Sequence, residues 1–313
     1  MVKRRLQRPK LVVITGPTAA GKTSLSLRIA KRFGGEVVSA DSRQLYRGTE
    51  IGSDIIPGKW VGRGRARHYV AEGISHHLTA FLEPDEPITL AEYREMALRK
   101  IDEIIGRGRL PIVVGGTGLY IRAIVDNLRI PEVPPDRAMR RKLGRKTTPQ
   151  LFARLKRRDP AYAARISPNN RRYLIRALEV IEATGKPFSK LQGKGRAHYD
   201  VLQLGVTRPR EELYGRIESR VDEQIEEGLV KEARRLSKRF GWDIPPMTAL
   251  GHRQLKGYLE GQITLEEAIR LIKRDTRRYA KRQLTWFRRD RRIRWVSGVQ
   301  EAESLVRRFL KNS

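Results

Sequence analysis

The chain has 313 residues, with 66 Lys and Arg against 35 Asp and Glu, a formal net charge of +31. It contains no cysteine, which excludes disulfides, cysteine nucleophiles and cysteine-bound zinc. The hydrophobic share of 39% is enough for a real core, and no apolar run approaches the roughly 20 residues of a membrane span. The basic N-terminus, residues 1–10, is followed only by a strand-length apolar run, so no signal peptide is read there. The expectation is a cytoplasmic monomer with no membrane partner, built as one large domain or as a core with a smaller insert. The positive balance attracts polyanions, nucleic acid first. Charge alone leaves RNA, DNA and an anionic membrane surface open.

In chain order, residues 11–15 (LVVIT) read as a buried strand, followed by a glycine-rich turn and a helix carrying Leu25, Leu27, Ile29 and Ala30. Gly34 and Gly35 stop that helix, and residues 36–40 read as a second short strand. Such a strand–helix–strand unit implies a parallel sheet. Residues 89–105 repeat apolar positions at helical spacing, Gly106 and Gly108 break the helix, and residues 110–114 form another apolar strand. Residues 115–118 (GGTG) then turn the chain into a further helix. From about 123 to 199 the chain becomes basic and mostly helical, with prolines at 131, 134 and 135. Residues 200–207 return to strand, residues 209 to about 289 read as helix, and residues 292–296 form a last short strand. The fold class expected is α/β: a P-loop NTPase-like core with a parallel sheet, from segments 1–122 and 200–313, interrupted by a helical insertion.

Gly16-Pro17-Thr18-Ala19-Ala20-Gly21-Lys22-Thr23 fits G-x-x-x-x-G-K-[ST] and lies between a strand and a helix, where the mechanism of that motif needs it. The glycines permit a tight path along which successive N–H groups and the helix N-terminus face phosphate oxygens. Lys22 supplies a point charge, and the Thr23 hydroxyl is placed for Mg²⁺. The motif specifies a phosphorylated ligand without naming it.

Asp41 ends the second strand, in residues 39–46 (SADSRQLY), and faces the same crevice as the first loop. Position alone leaves it three roles: metal ligand, proton acceptor, or cap of a following turn, a role Ser42 shares. Arg43 and Gln44 are suited to phosphate or base-edge contacts. No Walker-B carboxylate follows the strand at 110–114, where backbone N–H groups and the Thr117 hydroxyl stand instead. Between Arg270 and Arg294 there are twelve Lys or Arg and two acids, with Tyr279, Trp286 and Phe287 interleaved. This pattern suits phosphate contact and base stacking, or an amphipathic helix whose aromatics are core. His76 and His77 are adjacent and poorly spaced for chelation, and structural or surface roles are expected for all five histidines.

Taken together, GPTAAGKT at 16–23, SADSRQLYRG at 39–48, HHL at 76–78, RLPIVVGGTGLY at 109–120, RALEVIEATGKP at 176–187, RIESRVD at 216–222, YLEGQITLEEAI at 258–269 and YAKRQLTWFR at 279–288 resemble the tRNA dimethylallyltransferase (isopentenyltransferase) family. The resemblance spans nearly the whole chain. It implies transfer of a dimethylallyl group from dimethylallyl diphosphate to N6 of adenosine 37, beside the anticodon, with release of diphosphate. The P-loop then holds a leaving group rather than ATP, with Mg²⁺ as cofactor. Arg216 and Arg220 become further diphosphate clamps, and Asp41 becomes the general base. The resemblance assigns tRNA contacts, on the anticodon stem-loop, to Asp41, Ser42, Arg43, Gln44, Thr117, Arg140, Arg172, Gly251, Arg253, Gln254, Arg282, Gln283, Trp286 and Arg288. The helical insertion becomes the family's tRNA-binding arm.

The chain departs from the family pattern in three places. Residues 51–57 (IGSDIIP) replace the usual IGTAKP and lose its lysine. Asn170, Arg172 and Tyr173 replace an acid and a Gln-Arg pair, which puts the Arg172 contact in doubt. Residues 249–252 read ALGH in place of AIGY. A small-molecule P-loop kinase, which needs no basic tail, and an RNA-binding NTPase without prenyl chemistry are the competing readings.

Overall fold

The computed structural model describes residues 8–63 and 68–312; the basic stretch before residue 8 lies outside them. The chain divides into two compact units, one of residues 1–122 with 198–313 and one of residues 123–197.

The larger unit runs through β1 (Lys10–Thr15), α1 (Lys22–Phe33), β2 (Gly35–Ser39), β3 (Lys59–Val61), β4 (His68–Ala71), β5 (Ile74–His77), α2 (Leu90–Gly106), β6 (Leu110–Gly115) and the start of α3 (Gly118–Val125). The smaller unit holds β7 (Leu128–Arg129), α4 (Arg137–Gly144), α5 (Thr148–Arg158), α6 (Pro160–Ala163), α7 (Arg171–Thr184), α8 (Phe188–Leu191) and β8 (Gly193–Lys194). The larger unit resumes with β9 (Asp200–Val206), α9 (Arg210–Glu227), α10 (Leu229–Phe240), a 3₁₀ turn at Pro246–Thr248, α11 (His252–Leu259), α12 (Leu265–Phe287), β10 (Ile293–Val296) and α13 (Val299–Lys311).

Eight strands form one sheet in the order β10-β9-β1-β6-β2-β5-β4-β3. The six from β10 to β5 are parallel, and β4 and β3 add antiparallel at one edge. Leu11, Val12, Val13 and Ile14 are fully buried, as a central parallel strand covered on both faces requires. The register pairs Thr15 with Gly115 and with Gly205, and Ser39 with Val114. The loops leaving β1, β2 and β6 therefore emerge together at the carboxyl edge, where open α/β sheets bind ligands.

The antiparallel edge is absent from the sequence reading. Its strands are three or four residues long, too short for alternation to show. β5 is anchored to β2 by the His77 ring nitrogen, 2.7 Å from Glu36, while Arg107 donates to the same carboxylate at 2.8 Å. Burial opposes the Glu36 charge, but these hydrogen bonds prevail and hold its carboxyl at about 2. Burial and the neighbouring His77 push His76 down to about 4. The helix read as continuous from 209 to 289 is four helices. Gly228 at φ +108° and Gly241 at φ +77° end α9 and α10, and Gly261 at φ +72° follows α11. These are left-handed positions that a side chain resists.

In the smaller unit, Leu143, Leu151, Leu155, Leu174 and Leu178 share a core, and β7 pairs with β8 in a short ribbon. Glu179, 1% exposed on α7, accepts from Arg140 Nε at 2.7 Å, Arg176 Nη1 at 2.7 Å and the Asp136 amide at 2.8 Å. Burial raises its carboxyl, but the two guanidinium groups outweigh that and lower it. The Arg140 guanidinium is thus engaged internally, whereas Arg172 is exposed on α7. Removing one partner of such a group leaves the others uncompensated. Glu179→Ala is expected to lower unfolding stability by about 3 kcal/mol, read by chemical denaturation; a change within experimental scatter would show that the arginines find water instead.

Candidate active site

The phosphate loop leaves β1 through Gly16 at φ +143°, Ala19 at φ +60° and Gly21 at φ +98°. A Cβ at Gly16 would strike the Val206 carbonyl, so the first glycine of the motif is required by β9 as much as by any ligand. Lys22 Nζ donates to the Pro17 carbonyl at 2.7 Å. Burial lowers the Lys22 pKa to about 8, against the pull of Asp41 and Asp54 toward the charged form. Thr23 stands in the first turn of α1, partly exposed, and no described residue hydrogen-bonds its hydroxyl. That donor fits Mg²⁺ held mainly by phosphate oxygens and water, the usual arrangement for this ion. Among the described residues no three His, Cys, Asp or Glu side chains form a metal cluster.

Asp41 follows β2. Its Oδ1 accepts from the Arg43 amide at 2.9 Å, the turn-capping role that the sequence left open, and no described residue hydrogen-bonds Oδ2. Thr117 Oγ1 accepts from the Ser42 amide at 3.0 Å, and the Thr117 amide donates to the Ala40 carbonyl at 3.1 Å. The GGTG turn after β6 is thereby stitched to the residues around Asp41. Arg43 donates through Nη1 to the Pro245 carbonyl. Gln44 Nε2 donates to the carbonyls of Ser53 and Asp54 at 3.2 and 3.0 Å.

α12 closes the back of the site. Gln283 is buried; its Oε1 accepts from the Thr18 amide at 2.9 Å and its Nε2 donates to the Gly116 carbonyl at 3.0 Å. A Cβ at Gly116 would meet this amide, and one at Gly118 would meet the Trp286 indole. Gly116 and Gly118 are spacers that let α12 approach, whereas Gly115 makes room for the Ala40 carbonyl. Gln254 is similarly occupied, accepting from the Gly251 amide at 3.1 Å and donating to Asp275 at 2.9 Å. Of the sequence candidates for tRNA contact, Gln44, Thr117, Gln254 and Gln283 therefore direct their polar groups inward. Arg253, Arg282 and Arg288 are exposed, Trp286 is half-buried beside Arg122, and Gly251 is buried at φ +89°.

These elements line a cavity of about 410 Å³. Its walls include Thr18 and Ala19 of the phosphate loop, residues 41–43, residues 52–54, Thr117, residues 248–251, Ile217, Arg220 and Val221 of α9, and Ile272, Tyr279 and Arg282 of α12. Arg216 donates to the Ala19 carbonyl at 2.9 Å. Arg220 lies 2.7 Å from Asp54 and also faces Glu223 and Glu227. Burial, aided by Asp41, raises the Tyr279 pKa, so its phenol stays protonated on the cavity wall. No sequence motif marks Asp54: segment 51–57 stands out by the lysine it lacks, not by the acid it carries.

A phosphate loop and a carboxylate that line one apolar-and-cationic cavity at the carboxyl edge of a parallel sheet define the chain as a P-loop α/β protein. Two family models match: IPP transferase over residues 44–290 and isopentenyl transferase over residues 9–73. The chain belongs to the IPP transferase family. It is 46% identical over 299 residues to the tRNA dimethylallyltransferase of Thermomicrobium roseum, covering 94% of this chain and 88% of that protein. With the Moorella thermoacetica tRNA dimethylallyltransferase it shares 45% identity over 316 residues, 97% of this chain and 95% of that one. Among solved structures, the full-length tRNA isopentenylpyrophosphate transferase of Bacillus halodurans is 39% identical with a TM-score of 0.70, covering 97% and 96% of the two chains. A eukaryotic dimethylallyltransferase acting on tRNA is 28% identical with a TM-score of 0.72, covering 89% of this chain and 69% of that one.

Because the folded pKa of Lys22 lies below the free value, its charge is lost as pH rises through about 8. Affinity for inorganic diphosphate is therefore expected to fall between pH about 7 and about 9.5, measured by titration calorimetry, while Lys22→Met binds weakly at every pH. A flat wild-type profile would show that the ammonium contributes nothing there.

Proposed function

We propose that this protein transfers the dimethylallyl group of dimethylallyl diphosphate to N6 of the adenosine next to the tRNA anticodon, adenosine 37, releasing diphosphate. The observation that carries the proposal is the placement of Asp41 and the phosphate loop on walls of one cavity, with family membership supplying the substrates. The loop amides and Lys22 would hold the diphosphate, and Arg216 and Arg220 stand on the adjoining face. Mg²⁺, held at Thr23 and the phosphate oxygens, would neutralise part of the leaving charge.

The reaction breaks the bond between the allylic C1 and its diphosphate oxygen as N6 attacks C1. The nitrogen becomes cationic and must lose a proton, for which Asp41 Oδ2 is the acceptor. The phosphate loop stabilises the charge that grows on the departing oxygen, where preorganised donors are worth most. Ile217, Val221, Leu250 and Ile272 provide cavity wall that excludes water from the allylic carbon. A flipped adenine would enter from the face carrying Arg282 and Arg43.

The polyanion surface has its own support. Lys281, Arg282, Arg288, Arg289, Arg291 and Arg294 are exposed and form no ion pair among the described residues. Arg270, Lys273, Arg274, Arg277, Arg278 and Arg292 are paired with acids. The unpaired group is the part of the basic segment free to neutralise backbone phosphates. tRNA affinity is expected to fall steeply with salt, and the slope to become shallower by about one unit for each of these residues that contacts a phosphate and is changed to Gln; a salt-independent affinity would remove them from the interface.

Incubation with unmodified tRNA, Mg²⁺ and labelled dimethylallyl diphosphate is expected to place label on tRNA. Asp41→Asn is expected to lower the turnover rate by about 10²-fold or more with tRNA affinity retained. Label absent from tRNA, together with transfer of the ATP γ-phosphate to a small acceptor, would establish the kinase reading instead.

A further inference from the structure

Asp54 belongs to a turn that departs from the family pattern, and the chain has fixed that turn in place with side chains from three directions. Glu232 of α10, 5% exposed, accepts from the amides of Ile51 and Gly52, both at 2.9 Å. The fully buried His252 places its Nε2 2.9 Å from the same carboxylate, and a Cβ on Gly52 would collide with the His252 ring. Gln224 Nε2 donates to the Ile51 carbonyl at 2.7 Å, and Gln44 holds the carbonyls of Ser53 and Asp54. At the end of this turn Asp54 adopts φ +52°, a conformation that costs a non-glycine residue and persists where its surroundings impose it.

The result is a carboxylate presented to one cation. Asp54 Oδ1 lies 2.7 Å from Arg220 Nη2. Glu223 and Glu227 contact the other terminal nitrogen, Nη1, at 3.2 and 3.4 Å. Of these three acids only Asp54 lines the cavity, as does Arg220 itself. Asp54 thus holds the Nη2 end of a guanidinium on the cavity wall, and a guanidinium binds carboxylate and phosphate oxygens through the same donors.

We propose that Asp54 is an internal competitor for the diphosphate: it occupies Nη2 of Arg220 until substrate displaces it, and returns there as the product diphosphate leaves. The inference rests on the prenyl-transfer reading of the cavity. It makes Asp54 a specificity-determining residue that weakens the hold on free diphosphate. A dianionic or trianionic ligand must displace a neighbouring negative charge to gain Arg220, and the reverse exchange assists release.

The test is titration calorimetry of the full-length protein with inorganic diphosphate and Mg²⁺, comparing wild type with Asp54→Asn and Asp54→Gly. Both replacements tolerate the left-handed backbone, so agreement between them separates charge from turn geometry. Freeing Arg220 from the Asp54 carboxylate is expected to tighten diphosphate binding about fivefold, and product inhibition of transfer should strengthen to match. In an Arg220→Gln background the gain should vanish. Weaker or unchanged binding in both Asp54 variants would overturn the proposal, the former by making Asp54 a ligand of the metal–diphosphate. A full gain in the Arg220→Gln background would also overturn it, by placing the effect elsewhere. Failure of the underlying reading shows separately, as absence of label on tRNA with the wild-type protein.

Discussion

The buried amide of Gln283 is the contact on which the site depends. With its oxygen on the Thr18 amide and its nitrogen on the Gly116 carbonyl, one side chain of α12 sets the distance between the phosphate loop and the turn after β6. That turn in turn carries Thr117, which accepts from the Ser42 amide beside Asp41. The chain of bonds runs from the phosphate cradle to the proposed base without crossing solvent. A buried amide with both ends satisfied is rigid because leaving either end unpaired is costly. Gly116 and Gly118 follow from the same constraint, since a side chain on either would hold α12 away.

Charge is divided by the same architecture. Arg220, on the cavity wall, is met by three carboxylates, and Lys22 lies in the fields of Asp41 and Asp54. From the C-terminal part of α12, through the turn after it, to β10, six exposed cations stand without ion pairs among the described residues. The cavity walls carry Arg43, Arg220, Arg253 and Arg282 against Asp41 and Asp54 and so keep a cationic excess, while the unpaired cations outside it are the part of the +31 charge that a long polyanion would meet.

Much of this was legible in the sequence, for reasons tied to particular residues. The phosphate loop was readable because its spacing reflects local backbone geometry, and Asp41 because a strand end in a parallel sheet faces the crevice. β1 and β6 announced themselves as short continuous apolar runs. The antiparallel edge did not, since three-residue strands carry no period. Nor did the duties of Gln44, Gln254 and Gln283: a glutamine reads as a free polar contact until the backbone groups opposite it are known. The Glu232–His252 pair spans 20 positions and anchors a turn some 180 residues earlier in the chain, a relation that only the fold creates. Asp54 was visible as a letter, and its proximity to Arg220 was not.

Gln283 is either an internal strut, as its two buried hydrogen bonds indicate, or, as its family position suggests, a contact to tRNA. Gln283→Met keeps the length of the side chain and removes both hydrogen bonds. Measuring diphosphate and tRNA affinity side by side for this variant decides the matter. The account predicts that diphosphate affinity falls, by about tenfold for the loss of an ordered pair of bonds, while tRNA affinity is unchanged. Loss of tRNA affinity with diphosphate binding intact would contradict it.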